Sequence, residues 1–270
     1  MKVALLVSPE ANQRALAHRL AGHVRIETII VCTPPPSRQA GLGAKVGRLA
    51  RGFLGLPLRK AWFGMLGHYE SLFPNFPIAP VLAVSDINHP AVLSTIESIE
   101  PQLVVVSGTN LLKKPLIEAI GRGGKVMNLH TGISPYVRGG PNCTNWALAI
   151  RRFDLIGNTV LWIDEGIDRG NLIATEQTRL DRTENLTELH IKVMDHAHDL
   201  LVRCARQMIA GRELPSVPQR ELGVGRLFLS RHWNAVATAK AVINFHLHYR
   251  KPAARTPPPR LISLQSDGAA

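Results

Sequence analysis

The sequence contains few cysteines, and their arrangement does not suggest a cross-linked or metal-bound fold. Its 270 residues include three cysteines, Cys32, Cys143 and Cys204, which are odd in number and widely spaced. Such spacing indicates neither a disulfide framework nor a zinc site. Because unpaired cysteine is usually buried as a small apolar residue, we expect all three in the interior, and we expect no bound metal.

Long hydrophobic runs are also missing. Although 45% of the residues are apolar, no stretch is long enough to cross a bilayer, and the run at residues 3–7 is too short for a signal peptide. We therefore expect a soluble cytoplasmic protein without a membrane span. The length and apolar content are sufficient for a full core in one large domain, with or without an appendage.

Acidic residues are missing from two segments of the chain. Residues 28–69 contain six basic residues and residues 222–266 contain seven, with no acid in either segment. These segments carry the whole positive excess, which is +12 for the chain. Such segments attract phosphate-bearing ligands, nucleic acid or an anionic membrane surface, although a solvated basic face that aids solubility is an equally good interpretation.

Short apolar runs alternate with stretches of helical spacing. The pattern predicts strands at residues 3–7, 23–32, 81–84, 103–107, 125–129, 158–163 and 171–178. It predicts helices at residues 12–20, 89–99, 115–120, 142–150 and 183–211. This alternation is typical of an α/β fold with a doubly wound, mostly parallel, Rossmann-like sheet, followed here by a small C-terminal appendage.

The same reading suggests a division of the chain. We expect a catalytic domain at residues 1–211, with a basic helical insertion at 37–75 that covers the site or lies on a partner surface. Residues 212–250 are expected to form a peripheral segment. Residues 251–270, which are rich in proline, are expected to be disordered.

A polar trio stands out against this scaffold. Asn128 and His130 alternate at the end of a predicted strand, so their side chains should face one pocket. Asp168 follows in an acidic turn after another strand. An imidazole can move a proton near neutral pH, an amide can stabilise an oxyanion, and a carboxylate can orient the ring and raise its pKa. The trio suits attack of an amine on a carbonyl carbon. Each residue alone would also fit a histidine and a capping asparagine with purely structural roles.

Other motifs carry less information. The glycines at residues 41–47 resemble a dinucleotide fingerprint only superficially, because the third glycine is one residue late and no strand directly precedes them. The pairs His196 with His198 and His246 with His248 are two residues apart. On helices such pairs diverge and cannot share a metal, so we interpret them as surface residues.

The sequence around the trio resembles the folate-dependent formyltransferase family, which includes glycinamide ribonucleotide, methionyl-tRNA and sugar-nucleotide formyltransferases. Residues 128–135 read Asn-Leu-His-Thr-Gly-Ile-Ser-Pro, where the family has Asn-x-His and a short turn closed by proline. Residues 164–170 read Asp-Glu-Gly-Ile-Asp-Arg-Gly, where the family has Asp-Glu-x-x-Asp-x-Gly. Thr131 and Gly132 replace the usual Pro-Ser of the turn. The resemblance extends from residue 3 to residue 209.

This resemblance implies a formyl donor and a set of site residues. The donor would be 10-formyltetrahydrofolate, with its pterin ring held among Leu111, Leu112, Asp164, Glu165 and Gly166. By the same resemblance, Asn128 and His130 would stabilise the oxyanion that forms at the formyl group, and Asp168 would orient the imidazole.

The amine acceptor is predicted from weaker features. A methionyl-tRNA enzyme would carry a complete β-barrel after the catalytic domain, and a glycinamide ribonucleotide enzyme would carry a glycine turn in place of Ser8-Pro9-Glu10. A nucleotide-linked amino sugar, formylated for surface polysaccharide, fits the length and charge better. Its candidate contacts are Arg138, Asn142, Asn145 and Trp146. We then expect no nucleic-acid partner and leave a homodimer open.

Three alternatives stay open. The acceptor could be another amine, such as methionyl-tRNA, glycinamide ribonucleotide or a hydroxyornithine-like compound. With water as the nucleophile, the trio would make a formyltetrahydrofolate hydrolase. A basic module that binds nucleic acid or a membrane surface would instead associate with DNA or anionic vesicles in a salt-dependent way and have no folate affinity.

Overall fold

The fold is taken from a computed structural model of the chain, which describes residues 1–33, 35, 52–140, 142–163, 170–251 and 257–264. The strands are β1 (Val3–Val7), β2 (Ile26–Cys32), β3 (Val81–Val84), β4 (Leu103–Ser107), β5 (Lys125–His130), β6 (Val137–Gly139), β7 (Gly157–Trp162), β8 (Leu172–Gln177) and β9 (Arg226–Phe228). The helices are α1 (Ala11–Ala21), α2 (Leu56–Leu72), α3 (Pro90–Ile99), α4 (Lys114–Gly121), α5 (Cys143–Ala149), α6 (Leu186–Ile209), α7 (Gln219–Leu222) and α8 (Ala235–His248). Each strand and helix predicted from the sequence is confirmed, with ends that shift by no more than three residues.

A seven-stranded sheet runs through the centre in the order β3-β2-β1-β4-β5-β7-β8. The first five strands in this order are parallel, and β7 and β8 extend the sheet as antiparallel strands. The strand order reverses between β1 and β4, so the connections that follow these two strands leave toward opposite faces. The expected doubly wound α/β fold is therefore confirmed. Strands β6 and β9 form a separate parallel pair.

The two faces of the sheet are covered by different helices. On β1, Val3, Leu5 and Val7 pack with α1, α2 and α6, whereas Ala4 and Leu6 pack with α3 and α4 on the other face. Side chains alternate between faces along a strand, so a strand buried on both faces needs an unbroken apolar run. This requirement explains why β1 and β4 contain almost only aliphatic residues.

Helix α2 belongs to the core, although we expected the segment at 37–75 to be an insertion over the site. Its Met65 and Tyr69 are fully buried between α1 and α6. The Tyr69 hydroxyl donates a hydrogen bond of 2.8 Å to Asp195 on α6, and burial raises the pKa of Tyr69, so the donor keeps its proton. Residues 37–51 of the expected insertion lie outside the described residues.

The C-terminal segment is also more integrated than expected. Helix α8 contributes Ala241 and Phe245 to a second core cluster with α5 and the first turns of α6. Part of the tail that we expected to be disordered lies against the sheet. There the Thr175 amide donates to the Ile262 carbonyl at 2.8 Å, and Leu264 is buried.

All three cysteines are buried, as predicted. The expectation of surface histidines is wrong for His198, which is fully buried on α6, where its ring lies 5.8 Å from that of Tyr69. Neither His198 nitrogen has a hydrogen-bond partner among the described residues. Within the part of the chain that the structure describes, none of the helices has the length and apolar composition needed to cross a bilayer.

Burial of His198 and His190 predicts a loss of stability in acid. Burial lowers the pKa of His198 to about 3 and that of His190 to about 4. Between those values and the usual 6.5 of histidine, the unfolded chain takes up protons that the folded chain refuses, so stability falls as the pH decreases. The free energy of unfolding should therefore decrease between about pH 7 and pH 5 in both the wild type and His198→Phe. We expect this decrease to be about 2 kcal/mol smaller in the variant, because the variant lacks one of the two buried imidazoles.

Urea unfolding at each pH measures this difference. The matched control is His246→Phe, whose ring lies on the surface of α8. If His198→Phe and the wild type lose the same free energy on acidification, the buried imidazole does not cause the acid sensitivity.

Candidate functional site

The candidate site lies where β5 ends. Strand β5 follows β4 in the sheet, and Asn128 pairs with Val106 near the carboxyl end of β4. Chemistry in open α/β sheets usually occurs at this edge, close to the point where the strand order reverses. The strands therefore bring Asn128 and His130 to the position where a site is expected.

Asn128 and His130 share one face of the sheet, as their spacing suggested. Their neighbours Met127 and Leu129 pack toward α1 and α6, whereas Val126 packs in the cluster on the opposite face. Asn128 is half-buried and His130 is 8% exposed. The two side chains thus lie beside each other on the face covered by α3 and α4.

The His130 ring is held by the segment that follows it. Its Nε2 atom lies 3.1 Å from the carbonyl oxygen of Val137 and 3.5 Å from Sγ of Cys143. The Cys143 thiol donates to the Gly139 carbonyl at 3.3 Å, so its sulfur can accept weakly from the ring. Because a carbonyl oxygen only accepts, Nε2 carries the proton. Nδ1 is then the nitrogen of the neutral ring that can take up a proton.

The turn after His130 is tight and fixed to β7. The Thr159 hydroxyl donates to the Gly132 carbonyl at 2.6 Å and accepts from the Ser134 amide at 3.0 Å. A Cβ added at Gly132 would lie 2.7 Å from His130 Nε2 and 2.7 Å from Cβ of Cys143. Only glycine leaves room for the imidazole in this position.

Sequence reasoning missed these supporting groups. Val137, Cys143, Gly132 and Thr159 approach His130 or its turn only through tertiary contacts, which no periodicity records. One signal was present in the sequence, since Gly132 replaces a serine of the resembled motif. The reason for a glycine at position 132 becomes clear only from the position of the His130 imidazole.

The acidic turn lies outside the described residues, and with it Asp164, Glu165, Gly166 and Asp168. The chain enters this turn at Ile163, whose amide donates to the Val126 carbonyl at 2.9 Å. Ile163 packs with Leu112 on the cluster that also contains Val126. The turn therefore starts on the face of β5 that carries Asn128, at the end of the strand remote from His130. The role of Asp168 stays a prediction.

The loop after β4 carries two residues expected to hold a folate. Leu112 is partly buried against the core, whereas the side chain of Leu111 is 57% exposed. Asn88 fixes this loop, because its Nδ2 donates to the Leu111 carbonyl at 2.9 Å. An exposed leucine on a fixed backbone can cover one face of a flat heteroaromatic ring, so Leu111 fits the face of a bound pterin.

A polar cluster that the sequence analysis did not identify supports the same loop. Asn110 Nδ2 donates to Asp86 at 2.8 Å, and Asn110 Oδ1 accepts from the Ile87 amide at 3.2 Å. Hydrogen bonds from the backbone and side chain of Asn88 and from the side chain of Asn110 lower the pKa of Asp86 to about 2. The carboxylate is therefore ionised at neutral pH and keeps these amides in place.

Two of the predicted acceptor contacts line a cavity of about 570 Å³. Asn142 Oδ1 accepts from the Asn145 amide at 3.0 Å, and Asn145 Oδ1 is buried with no hydrogen-bond partner among the described residues. Apart from two glycines, the other described lining residues are mostly apolar or aromatic: Leu58, Arg59, Trp62 and Phe63 on α2, Trp233 just before α8, and Thr238 on α8. This cavity lies next to the segment that holds His130, because Asn142 directly precedes Cys143.

The other two predicted acceptor contacts lie elsewhere. Trp146 is buried, its ring is stacked on Phe228 with centroids 4.4 Å apart, and its Nε1 donates to the Gly140 carbonyl at 3.2 Å. It supports the wall between α5 and β9 and is not among the residues that line the cavity. Arg138 lies on β6, and its Nε atom is buried without a partner among the described residues.

Comparison with known proteins finds a family model and relatives that match a large part of this chain. The family model described as Formyl transferase matches residues 71–205, which is half of the chain. The methionyl-tRNA formyltransferase of Syntrophus aciditrophicus is 32% identical over 143 residues, which cover 53% of this chain and 44% of the relative. That of Alkaliphilus oremlandii is 28% identical over 222 residues, which cover 81% of this chain and 62% of the relative. The chain thus spans about half the length of these curated relatives.

A solved structure gives the same fold. The N-formyltransferase from Helicobacter canadensis, in complex with folinic acid and dTDP-3-aminofucose, superposes with a TM-score of 0.56 at 13% identity. The likeness covers 91% of this chain and 81% of that chain, and at this identity it concerns the fold alone. The matched residues 71–205 include β5, the turn at Gly132 and the residues that hold His130. On this evidence the protein belongs to the formyl transferase family.

Proposed function

We propose that this protein transfers the formyl group of 10-formyltetrahydrofolate to the amine of a nucleotide-linked amino sugar. The observation that carries the proposal is the cavity beside Cys143, which combines aromatic rings with Arg59 and two asparagines. Aromatic faces stack on nucleobases, and a guanidinium pairs with phosphate oxygens. The family match supports the reaction type, and the Helicobacter canadensis structure supports the acceptor, since that protein binds a sugar nucleotide.

In this proposal the chain's own residues bind the reactants and move a proton. Bound 10-formyltetrahydrofolate supplies the formyl carbon, and Leu111 and Leu112 would hold its ring system. The amine nitrogen forms a bond to that carbon while the bond from the carbon to the folate nitrogen breaks. Asn128 donates a hydrogen bond to the oxygen that becomes negative, a contribution typically worth about 10²- to 10³-fold in rate.

His130 transfers the proton that leaves the amine. Because Nε2 is bonded to the Val137 carbonyl, Nδ1 is the atom that receives the proton leaving the amine and returns it to the folate nitrogen. Asp168, as implied by the family motif, would accept a hydrogen bond from Nδ1 once that atom has taken up the proton and would stabilise the imidazolium. Asp168 is five residues after Ile163, and five residues of fully extended chain reach about 17 Å. This reach exceeds the separation along β5 between Val126, which accepts a hydrogen bond from Ile163, and His130.

A second candidate acceptor is the amino group of methionyl-tRNA. The observation that favours it is the set of curated relatives, which are methionyl-tRNA formyltransferases. Chemistry at the formyl carbon would be the same, and the amine would enter through the same cavity. Only the recognition of the acceptor differs, so direct assay separates the two.

The first test is an assay with both kinds of acceptor. Purified protein is incubated with 10-formyltetrahydrofolate and either a panel of nucleotide-linked amino sugars or charged methionyl-tRNA, and the products are identified by mass spectrometry. We expect formylation of at least one amino sugar. We also expect Asn128→Ala to lower kcat by about 10²-fold or more with a small change in KM, because the lost hydrogen bond acts on the transition state.

Binding of folinic acid is the control for this test. Asn128→Ala should bind it as the wild type does, which would show that the variant is folded. Formylation of methionyl-tRNA alone would transfer the assignment to the second candidate. Absence of product with every acceptor, or full activity of Asn128→Ala, would contradict the proposal.

Gly132→Ala tests the position of the His130 ring. The added methyl group would lie 2.7 Å from Nε2, so the imidazole must move away from the Val137 carbonyl. We expect kcat/KM to fall by about 100-fold, the usual contribution of a positioned acid–base group. The matched control is Gly140→Ala in the same loop, where an added Cβ meets nothing within 4 Å among the described residues. Equal activities of the two variants would show that ring placement is unimportant.

Phe63→Ala tests the acceptor cavity. Phe63 is 62% exposed and lines the cavity, so its removal should not disturb the core. Stacking on one base is worth about 1–3 kcal/mol, so we expect KM for the nucleotide-linked sugar to rise at least about fivefold with kcat nearly unchanged. The control is Leu72→Ala, an exposed apolar side chain at the other end of the same helix. A rise in KM of the same size in the control would remove the cavity from the account.

A further inference from the structure

Helix α8 is apolar on its outer face as well as on its inner face. The inner face packs against α5 through Ala241 and Phe245, and the Asn244 side chain donates to the carbonyls of Leu148 and Ala149, each at 3.0 Å. The outer face exposes three large aliphatic side chains, Val236, Ile243 and Leu247, at 62%, 51% and 57% of their areas. A helix that is apolar all round is normally covered on all sides. We therefore expect the outer face of α8 to contact another surface.

The three aliphatic residues form a continuous stripe. Val236 and Ile243 are seven residues apart, and Leu247 follows four residues later, so all three lie along one side of the helix. Lys240 lies between them on the same side. We name these four residues the α8 stripe.

A basic groove adjoins the α8 stripe. The groove has a volume of about 860 Å³ and shares Val236 and Lys240 with the stripe. Three arginines on other elements complete its cationic lining: Arg151, Arg226 and Arg231. The groove and the stripe thus form one continuous surface in which aliphatic and cationic side chains are mixed.

The cations of this surface are not neutralised. None of the ion pairs among the described residues includes Arg151, Arg226, Arg231 or Lys240. Asp154, the acid nearest to Arg151 in sequence, is engaged by Arg152 at 2.7 Å, and Glu221, the acid nearest to the other three cations, forms no ion pair with them among the described residues. Residues 222–266 contain no acid at all. The surface therefore attracts an anionic partner and repels a second copy of itself.

We propose that the α8 stripe and the basic groove bind an anionic lipid surface, with the cations on the lipid phosphates and the aliphatic side chains at the boundary of the acyl chains. Interfacial helices combine these two features, and either feature alone binds a membrane weakly. A nucleic acid would use the cations but would leave the aliphatic stripe exposed. The family match ends at residue 205, so β9 and α8, which supply most of this surface, lie beyond it, whereas Arg151 lies within it.

The proposal concerns a surface separate from the acceptor cavity. The cavity is lined by Asn142 and Asn145 from the first turn of α5, whereas the groove is lined by Ala149 and Arg151 at the other end of that helix. Docking on a lipid surface through the groove would leave the cavity open. Membrane binding can therefore be measured without reference to formyl transfer.

Vesicle flotation with the full chain tests the proposal. We expect the protein to float with vesicles of phosphatidylcholine containing about 30% phosphatidylglycerol and to remain unbound with phosphatidylcholine alone, because the basic residues need anionic headgroups. Arg231→Ala/Lys240→Ala should lower partitioning into the anionic vesicles by about 30-fold, since each basic residue at such a surface contributes roughly a factor of five. Ile243→Ser/Leu247→Ser should lower it by at least about tenfold without a change in charge.

The matched control removes the same charge elsewhere. Lys114→Ala/Arg122→Ala takes one cation from α4 and one from the residue that follows it, on another side of the molecule, and should change partitioning by less than about threefold. Circular dichroism of each variant establishes that it is folded. A control that weakens binding as much as Arg231→Ala/Lys240→Ala would show nonspecific attraction by net charge and would overturn the proposal.

Two further outcomes would also overturn it. If Ile243→Ser/Leu247→Ser bound anionic vesicles like the wild type, the stripe would not contact lipid. If that variant changed the protein from dimer to monomer in sedimentation velocity, the stripe would be covered by a second copy.

A labelled RNA strand is the competitor in the same assay. Binding of RNA that depends on Arg231 and Lys240, without binding to vesicles, would assign the groove to nucleic acid.

Discussion

The hydrogen bond from His130 Nε2 to the Val137 carbonyl is the contact on which the candidate site depends. It fixes which ring nitrogen holds a proton and therefore which one can take part in acid–base chemistry. Three features allow this contact to form. Gly132 leaves space for the ring, Thr159 binds the turn on both sides, and Cys143 closes the pocket from α5. Several buried polar contacts thus fix the orientation of the His130 imidazole.

Around this point the structure places the two proposed binding regions apart. The loop with Leu111 leaves β4 toward the face covered by α3 and α4, and the acidic turn begins on the same face. The cavity proposed for the acceptor lies among α2, α5 and α8. His130 is on β5 between these two regions and reaches α5 through Cys143. A formyl donor and an amine could therefore approach from different sides and meet at Asn128 and His130.

The positive charge of the chain is concentrated in two segments that contain no acid. Much of the acid-free segment at 28–69 lies outside the described residues, whereas the one at 222–266 forms part of a folded unit. Its helix α8 is anchored to α5 by Asn244 and presents cations and aliphatic residues outward. The segment that we expected to be peripheral therefore completes the second core cluster and also forms a surface of its own.

Local patterns were enough to predict the order of strands and helices, because each buried strand needs an unbroken apolar run and each long helix repeats its apolar residues every three or four positions. The same patterns led to Asn128 and His130. They did not reveal contacts between distant segments. The buried Tyr69 hydroxyl is satisfied because Asp195 accepts its hydrogen bond, and residues 257–264 lie against the sheet because Thr175 pairs with Ile262. Neither partner can be recognised from sequence spacing.

The supports of His130 were missed for the same reason. A carbonyl such as that of Val137 has no sequence signature, since every residue carries one. The burial of Cys143 was correctly predicted, but its contact with the His130 ring was not. Asp168 was found through a motif alone, and its position relative to His130 stays a prediction.

The protonation state of the His130 ring tests the central claim most directly. Two-dimensional NMR of protein labelled with ¹⁵N-histidine distinguishes a protonated from an unprotonated ring nitrogen, and His130→Gln assigns the signal. The account predicts that the neutral form of the His130 ring carries its proton on Nε2 and has an unprotonated Nδ1. A ring with its proton on Nδ1 alone would contradict the hydrogen bond to Val137 and the mechanism built on it.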